Sequence, residues 1–300
     1  MSVPVAAEKL FMLGSLPVTN SVLTGWVAVA AFVAAGAMLS RRRNLAPKGL
    51  QNAAEALIEG MLSFMDQVTQ DRRRSRRFLP IVGALFPFIL VCNWMGLLPG
   101  IGTIGVWGRE RGAIELIPLF RPATSDLNMT LAMGITSVVV SHVIGIMTLG
   151  FFKYWNKFIQ LGTLWKAVAK IGRVPAGKYA IDLFAALVGF MVGLIELMSE
   201  AAKMISLSLR LFGNIFAGEV LIHVLSSLIA FVLPTPFMFL EVIVGVVQAL
   251  VFSMLTLVYL TLATDKPHGD EAAHGEDELG ESHGPRQGRR HAKAGAVAQG

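Results

Sequence analysis

Charge is scarce in this 300-residue chain: 15% of residues are Asp, Glu, Lys or Arg, against 54% hydrophobic. A soluble domain of this size would carry more charge and shorter apolar runs, so that class is excluded. A single cysteine, Cys92, rules out a disulfide framework. No internal repeat of the kind many secondary transporters show is found. Gly-x-Ser-x-Gly and His-Glu-x-x-His are also missing. Ser141, His142 and the serines of "SLS" are therefore nucleophile and base types without a hydrolase context.

What remains is long and apolar. Charge-free stretches run from Leu10 to Ser40, Phe78 to Gly108, Leu127 to Phe152 and Val242 to Thr264. Each is long enough for a helix of about 20 residues to cross a hydrocarbon core. The expected fold class is therefore an all-α polytopic membrane protein with about five membrane-embedded helices. The first crossing is placed at Val22 to Leu39, after an outer segment 1–21. Only Glu8 and Lys9 precede it, and Arg41, Arg42 and Arg43 follow, which reads as a retained span rather than a cleaved signal.

The second crossing is expected over Phe78 to Leu98 and the third over about Asp126 to Phe152. An outer loop between them carries Arg109, Glu110, Arg111, Glu115, Arg121 and Pro122. The region 179–264 reads as a long, tilted hairpin of two helices around Pro234–Pro236, because proline cannot continue a helix. Together these place a membrane domain at 22–264. Between the first two crossings, Ala54, Leu57, Ile58, Met61, Met65 and Val68 recur at helical spacing opposite Glu55, Glu59 and Asp66. The expectation for about 50–70 is an amphipathic helix on the cytoplasmic surface, the alternative being one packed on a soluble partner.

Lysine and arginine are distributed unequally. Of 26 in the chain, 20 fall in 40–77, 153–178 and the tail. The positive-inside rule puts those segments in the cytoplasm, the N-terminus outside and the C-terminus inside. Net charge +6 is then a topology signal, and no nucleic-acid partner is indicated. Residues 265–300, rich in Gly, His, Glu and Arg, read as a disordered cytoplasmic tail. His268, His274, His283 and His291 are too loosely spaced for a metal site, and neither a metal nor a cofactor is expected.

The polar residues inside the apolar segments carry the functional signal. Glu196, Ser199, Lys203, Ser206, Arg210, Gly213 and Ala217 alternate at spacings of three and four, so they form one narrow helical stripe. Small residues on such a stripe admit a close neighbour. Asn214 lies beside it, whereas Glu219 and His223 share a different face, about half a turn away. Glu241 and Gln248 are one heptad apart on the last helix. Asn214, His223 and Gln248 are each equally readable as interhelical hydrogen-bond groups, and Lys203 as a side chain reaching for the interface. Arg210 is harder to accommodate. An arginine in mid-membrane costs about 2.5 to 3.5 kcal/mol on insertion scales, and no carboxylate lies near it in sequence. Its partner is expected from outside the chain.

The stretch "LSLRLFGNIFAGE" around Arg210 closely resembles the hallmark segment of subunit a of F-type ATP synthases. "NWMGLLPG" (93–100), "TSDLNMTLAM" (124–133) and "VVQALVFSMLTLVYL" (246–260) resemble further segments of that family, so the likeness covers most of 78–264. The resemblance implies a proton-translocating stator in a bacterial plasma (inner) membrane, one that makes no bond itself. Its implied partners are the c-subunit ring, facing Arg210, the peripheral-stalk b subunits, the other synthase subunits and lipid. By match, Asn214, Glu219, Glu241 and Gln248 would line an outer half-channel, and Glu196, Ser199 and Lys203 a cytoplasmic one. Glu241 stands where some relatives have histidine, and His223 is an added titratable group near Glu219. The alternative is a self-contained ion transporter or channel using Arg210, Glu219 and Glu241 as its own site.

Overall fold

In a computed structural model of the chain, the structure describes residues 7–41, 49–98, 100–101, 104–110, 113–158, 176–229 and 232–265. The tail histidines and most of the lysine-rich loop before Ala176 lie outside these residues. Residues up to Thr264 form one unit.

The helices are α1 (Asn20–Arg41), α2 (Leu50–Thr69), α3 (Arg72–Met95), α4 (Leu127–Leu149), α5 (Phe151–Phe158), α6 (Ala176–Leu228) and α7 (Pro234–Thr264). Five of them, α1, α3, α4, α6 and α7, are long and apolar enough to cross a membrane. The fold is an all-α polytopic membrane protein, as the apolar runs require. At 1.5 Å per residue, the 53 residues of α6 extend for roughly 80 Å. A hydrocarbon core is about 30 Å thick, so this helix runs far past a perpendicular span.

Several boundaries differ from the sequence reading for identifiable reasons. Helix α3 begins at Arg72, earlier than the apolar run, because Asp71 caps it by accepting a hydrogen bond from the Arg73 amide at 2.8 Å. The break between α6 and α7 precedes the prolines. Pro234 and Pro236 sit in the first turn of α7, where a helix needs no amide donor and favours their fixed φ. The segments before α1 and between α3 and α4 also contain two short antiparallel hairpins, which the apolar runs do not predict. They are β1 (Lys9–Leu13) with β2 (Leu16–Thr19), and β3 (Gly105–Glu110) with β4 (Ala113–Pro118). Gly14, at φ 65, turns the first of them.

The core joins α2, α3, α4, α6 and α7 through Met65, Phe78, Val82, Phe86, Ile89, Met133, Leu207, Leu211, Ile215, Phe252, Leu257 and Leu260. Met61 and Met65 of α2 are buried in it and Leu62 is buried beside them, whereas Leu57, Ile58, Phe64 and Val68 stay exposed. One flank of the amphipathic helix thus docks on the bundle and the other remains an apolar surface. The α2–α3 corner is tied by Arg72, whose guanidinium meets Glu59 at 2.5 Å and Asp66 at 2.6 Å.

Two polar clusters beside a free arginine

Helix α6 carries the site. Its Leu207, Leu211 and Ile215 are buried at four-residue spacing, which fixes the helix's rotation. Ser199, Ser206, Arg210, Gly213, Asn214 and Ala217 are consequently exposed. A Cβ added at Gly213 would meet nothing within 4 Å, so this part of the stripe is an open face. Among the described residues Arg210 forms no ion pair or hydrogen bond.

The stripe does not stay on one surface. Glu196 and Lys203 turn inward, to a cavity of about 120 Å³ that they line with Ser141, His142, Tyr154, Glu200 and Tyr259. Lys203 Nζ donates to Glu200 at 2.5 Å and stands 5.4 Å from the centre of the Tyr259 ring. It is therefore paired within the bundle rather than extended to the interface. This cluster lies at the end of the bundle where α4 finishes and α7 finishes.

A second cluster occupies the opposite end. Arg121, 5% exposed, grips Glu219, 17% exposed, from the connection before α4. Its Nε donates to Oε1 at 2.9 Å, and its terminal nitrogen donates to Oε2 at 3.0 Å. The Arg121 backbone amide donates to Thr24 Oγ1 at 3.2 Å, so α1 helps hold the clamp. The sequence pattern puts Arg121 among loop charges; the structure makes it the partner of Glu219. The usable signal was Glu219 itself, an inward-facing carboxylate in an apolar helix, which demands a cation or water.

Glu241 comes to the same place. Its carboxylate lies over Gly218, where any Cβ would overlap it, and its Oε1 is buried without a hydrogen bond. Glu241 thus lies against Gly218, the residue that precedes Glu219 on α6. His223 is exposed and makes no bond to Glu219 among the described residues. Gln248, two turns further along α7 than Glu241, is half-buried.

Asn93 anchors this end. Its amide donates to the Gly245 carbonyl at 3.0 Å, and its oxygen accepts from Thr124 at 2.7 Å. Trp94 adds a bond from its indole nitrogen to the Val242 carbonyl at 3.2 Å. Asp126 caps α4 through the Asn128 amide at 3.0 Å. The motifs at 93–100 and 124–133 therefore join α3, α4 and α7 where the second cluster sits.

Arg210 lies between the clusters. It follows Lys203 by seven residues and precedes Glu219 by nine, about 10 Å and 13 Å along the axis. Inside the bundle the intervening space is filled by Met133, Leu207, Leu211 and Phe252. Ser208 packs there on Gly134 so closely that a Cβ on Gly134 would overlap its hydroxyl.

A family model described as ATP synthase A chain matches residues 22–261. Proteins named ATP synthase subunit a are similar over most of their length. The one from Moorella thermoacetica is 30% identical, covering 84% of this chain and 94% of the relative. That from Syntrophobacter fumaroxidans is 31% identical over 88% and 92%. That from Campylobacter jejuni subsp. doylei is 32% identical over 80% and 87%. With a match that runs from α1 to the end of α7 and takes in both polar clusters and the free arginine between them, the chain belongs to the ATP synthase A chain family.

Proposed function

We propose that the chain is the proton-translocating stator of an ATP synthase, and that its two polar clusters are the inner ends of two offset half-channels. It is a multi-pass membrane component of that complex. The observation that carries the reading is Arg210, exposed and, among the described residues, without an ion pair or hydrogen bond, between two titratable clusters with apolar packing between them. The packed layer of Met133, Leu207, Leu211 and Phe252 stands between the clusters, so a moving partner carries the proton from one to the other.

That partner is the c-subunit ring, which presents a carboxylate to the open α6 face. The fixed charge of Arg210 favours the ionised carboxylate and forces its proton off on arrival. The Glu219–Glu241 cluster faces the outside and loads the ring, with Asn214 and Gln248 along the way. Glu196, Ser199 and Lys203 belong to the cytoplasmic exit. Each charge crossing is worth about 2.3 kcal/mol per 100 mV. The chain makes no covalent bond; it converts this energy into ring rotation, and the b subunits of the peripheral stalk hold it still.

The test is proton-driven ATP synthesis by membranes carrying Arg210→Ala. Assembly should persist, because among the described residues Arg210 makes no ion pair or hydrogen bond, while synthesis should vanish. Normal synthesis in assembled Arg210→Ala complexes would sink the reading. The self-contained transporter alternative gains no support, since the family match is to a synthase component.

A further inference from the structure

The cavity between α4, α5, α6 and α7 contains a pair that the reading above leaves without a task. His142 on α4 meets Tyr154 on α5, with Nδ1 and the phenolic oxygen 2.5 Å apart. Its other nitrogen, Nε2, stands 3.9 Å from Glu200 Oε2 on α6. The imidazole therefore bridges a carboxylate and a hydroxyl, with one ring nitrogen turned to each. The groups facing it are Tyr154 from α5, Glu196, Glu200 and Lys203 from α6, and Tyr259 from α7. Tyr259 also lies in the electrostatic field of Arg210.

We propose that His142 and Tyr154 form a proton relay at the cytoplasmic end, linking the Glu196–Glu200 carboxylates to bulk water. This rests on the half-channel reading and deepens it by naming the groups beyond α6 that move the proton.

The transfer balances without a further reactant. A proton from the carboxylate cluster, carried across the 3.9 Å gap by cavity water, enters at Nε2 and gives an imidazolium. The ring gives up its Nδ1 proton to the Tyr154 oxygen as that hydroxyl passes its own proton to water. The neutral ring then holds its proton on Nε2, and tautomer exchange through cavity water restores the starting state. About 120 Å³ holds several waters, one needing roughly 10–15 Å³.

Tyr154 suits such a role because it does not ionise. It is 3% exposed, and burial, followed by the charges of Glu200 and Glu196, pushes its hydroxyl up to about 12. It stays protonated at working pH, so it can accept a proton only while releasing one. Imidazole is the one group here whose ordinary titration spans about pH 5 to 8. Its position decides which nitrogen takes the proton and which gives it up.

The experiment uses the assembled synthase in inverted membrane vesicles, with ATP-driven acidification followed from about pH 6 to 9. His142→Gln should slow pumping about tenfold or more and flatten its pH dependence. Added imidazole should restore pumping in His142→Ala. Tyr154→Phe keeps the ring edge that packs on His142, with centroids 5.9 Å apart, and should slow pumping for want of the hydroxyl alone. If His142→Gln disturbs assembly, Tyr154→Phe decides. Pumping at the unaltered rate and pH profile in either assembled variant overturns the relay and leaves the half-channel reading intact. Pumping in Arg210→Ala vesicles overturns the half-channel reading itself, and the relay with it.

Discussion

Arg121 and Glu219 are separated by 98 residues of sequence, and no local pattern announces that they meet. Their pairing is geometrically strong: both oxygens of the carboxylate are engaged by a planar guanidinium fork, and both side chains are shielded from water. Breaking such a pair from one side strands a charge, at a cost of about 3–5 kcal/mol. Arg121→Ala should therefore destabilise the assembled membrane sector strongly, and Arg121→Lys less so, because an ammonium keeps the charge but loses the bidentate match. Adding Glu219→Gln to Arg121→Ala should return much of the loss by removing the stranded carboxylate. Thermal dissociation of the unaltered complex, the single variants Arg121→Ala and Glu219→Gln, and the double variant measures that coupling. Additive losses would show that the two side chains do not support each other.

At the scale of elements, helix identity was legible wherever a run was long and apolar. Helices α1, α4 and α7 stand within a few residues of their expected spans, α3 starts six residues earlier than expected, and the region of α6 is too long for one perpendicular crossing. The hairpins were not legible. Each strand has four to six residues, too few for alternation to rise above the loops around them. The polar stripe was legible as a face, but its division was not. Whether Glu196 and Lys203 turn toward the cavity depends on where α5 and α7 pack, and spacing along α6 alone carries no record of that.

Two glycines separate packing from partner contact. Gly134→Ala would set a Cβ against Ser208 Oγ and 3.0 Å from the Met204 carbonyl, at the layer between the clusters. Overpacking of this kind costs about 1–3 kcal/mol, so assembled complex in membranes should fall. Gly213→Ala meets open space and should assemble normally, with any loss confined to rotation-coupled activity. Comparing assembly yield and proton pumping for both variants checks the assignment of faces. A Gly213→Ala complex that fails to assemble would mean the α6 face is packed within the stator.

For the whole molecule, the two clusters acquire direction only from the topology. The proposed orientation follows from the positive-inside rule, which puts the end with the excess of Lys and Arg in the cytoplasm. In that proposed orientation the β3–β4 hairpin is outside and α2 inside, so the Glu219–Glu241 cluster would load from outside and the His142 cavity would serve the cytoplasmic side. The chain supplies a convenient background for a test, because its one cysteine, Cys92, is fully buried. Val106 on β3 and Gln67 on α2 are both exposed. A cysteine at Val106→Cys should react with a membrane-impermeant maleimide in intact cells. A cysteine at Gln67→Cys should react only in inverted vesicles, where the cytoplasmic face is outermost. The reverse pattern would exchange the two half-channels: protons would then load past His142 and leave past Glu241, while Arg210 would keep its place between them.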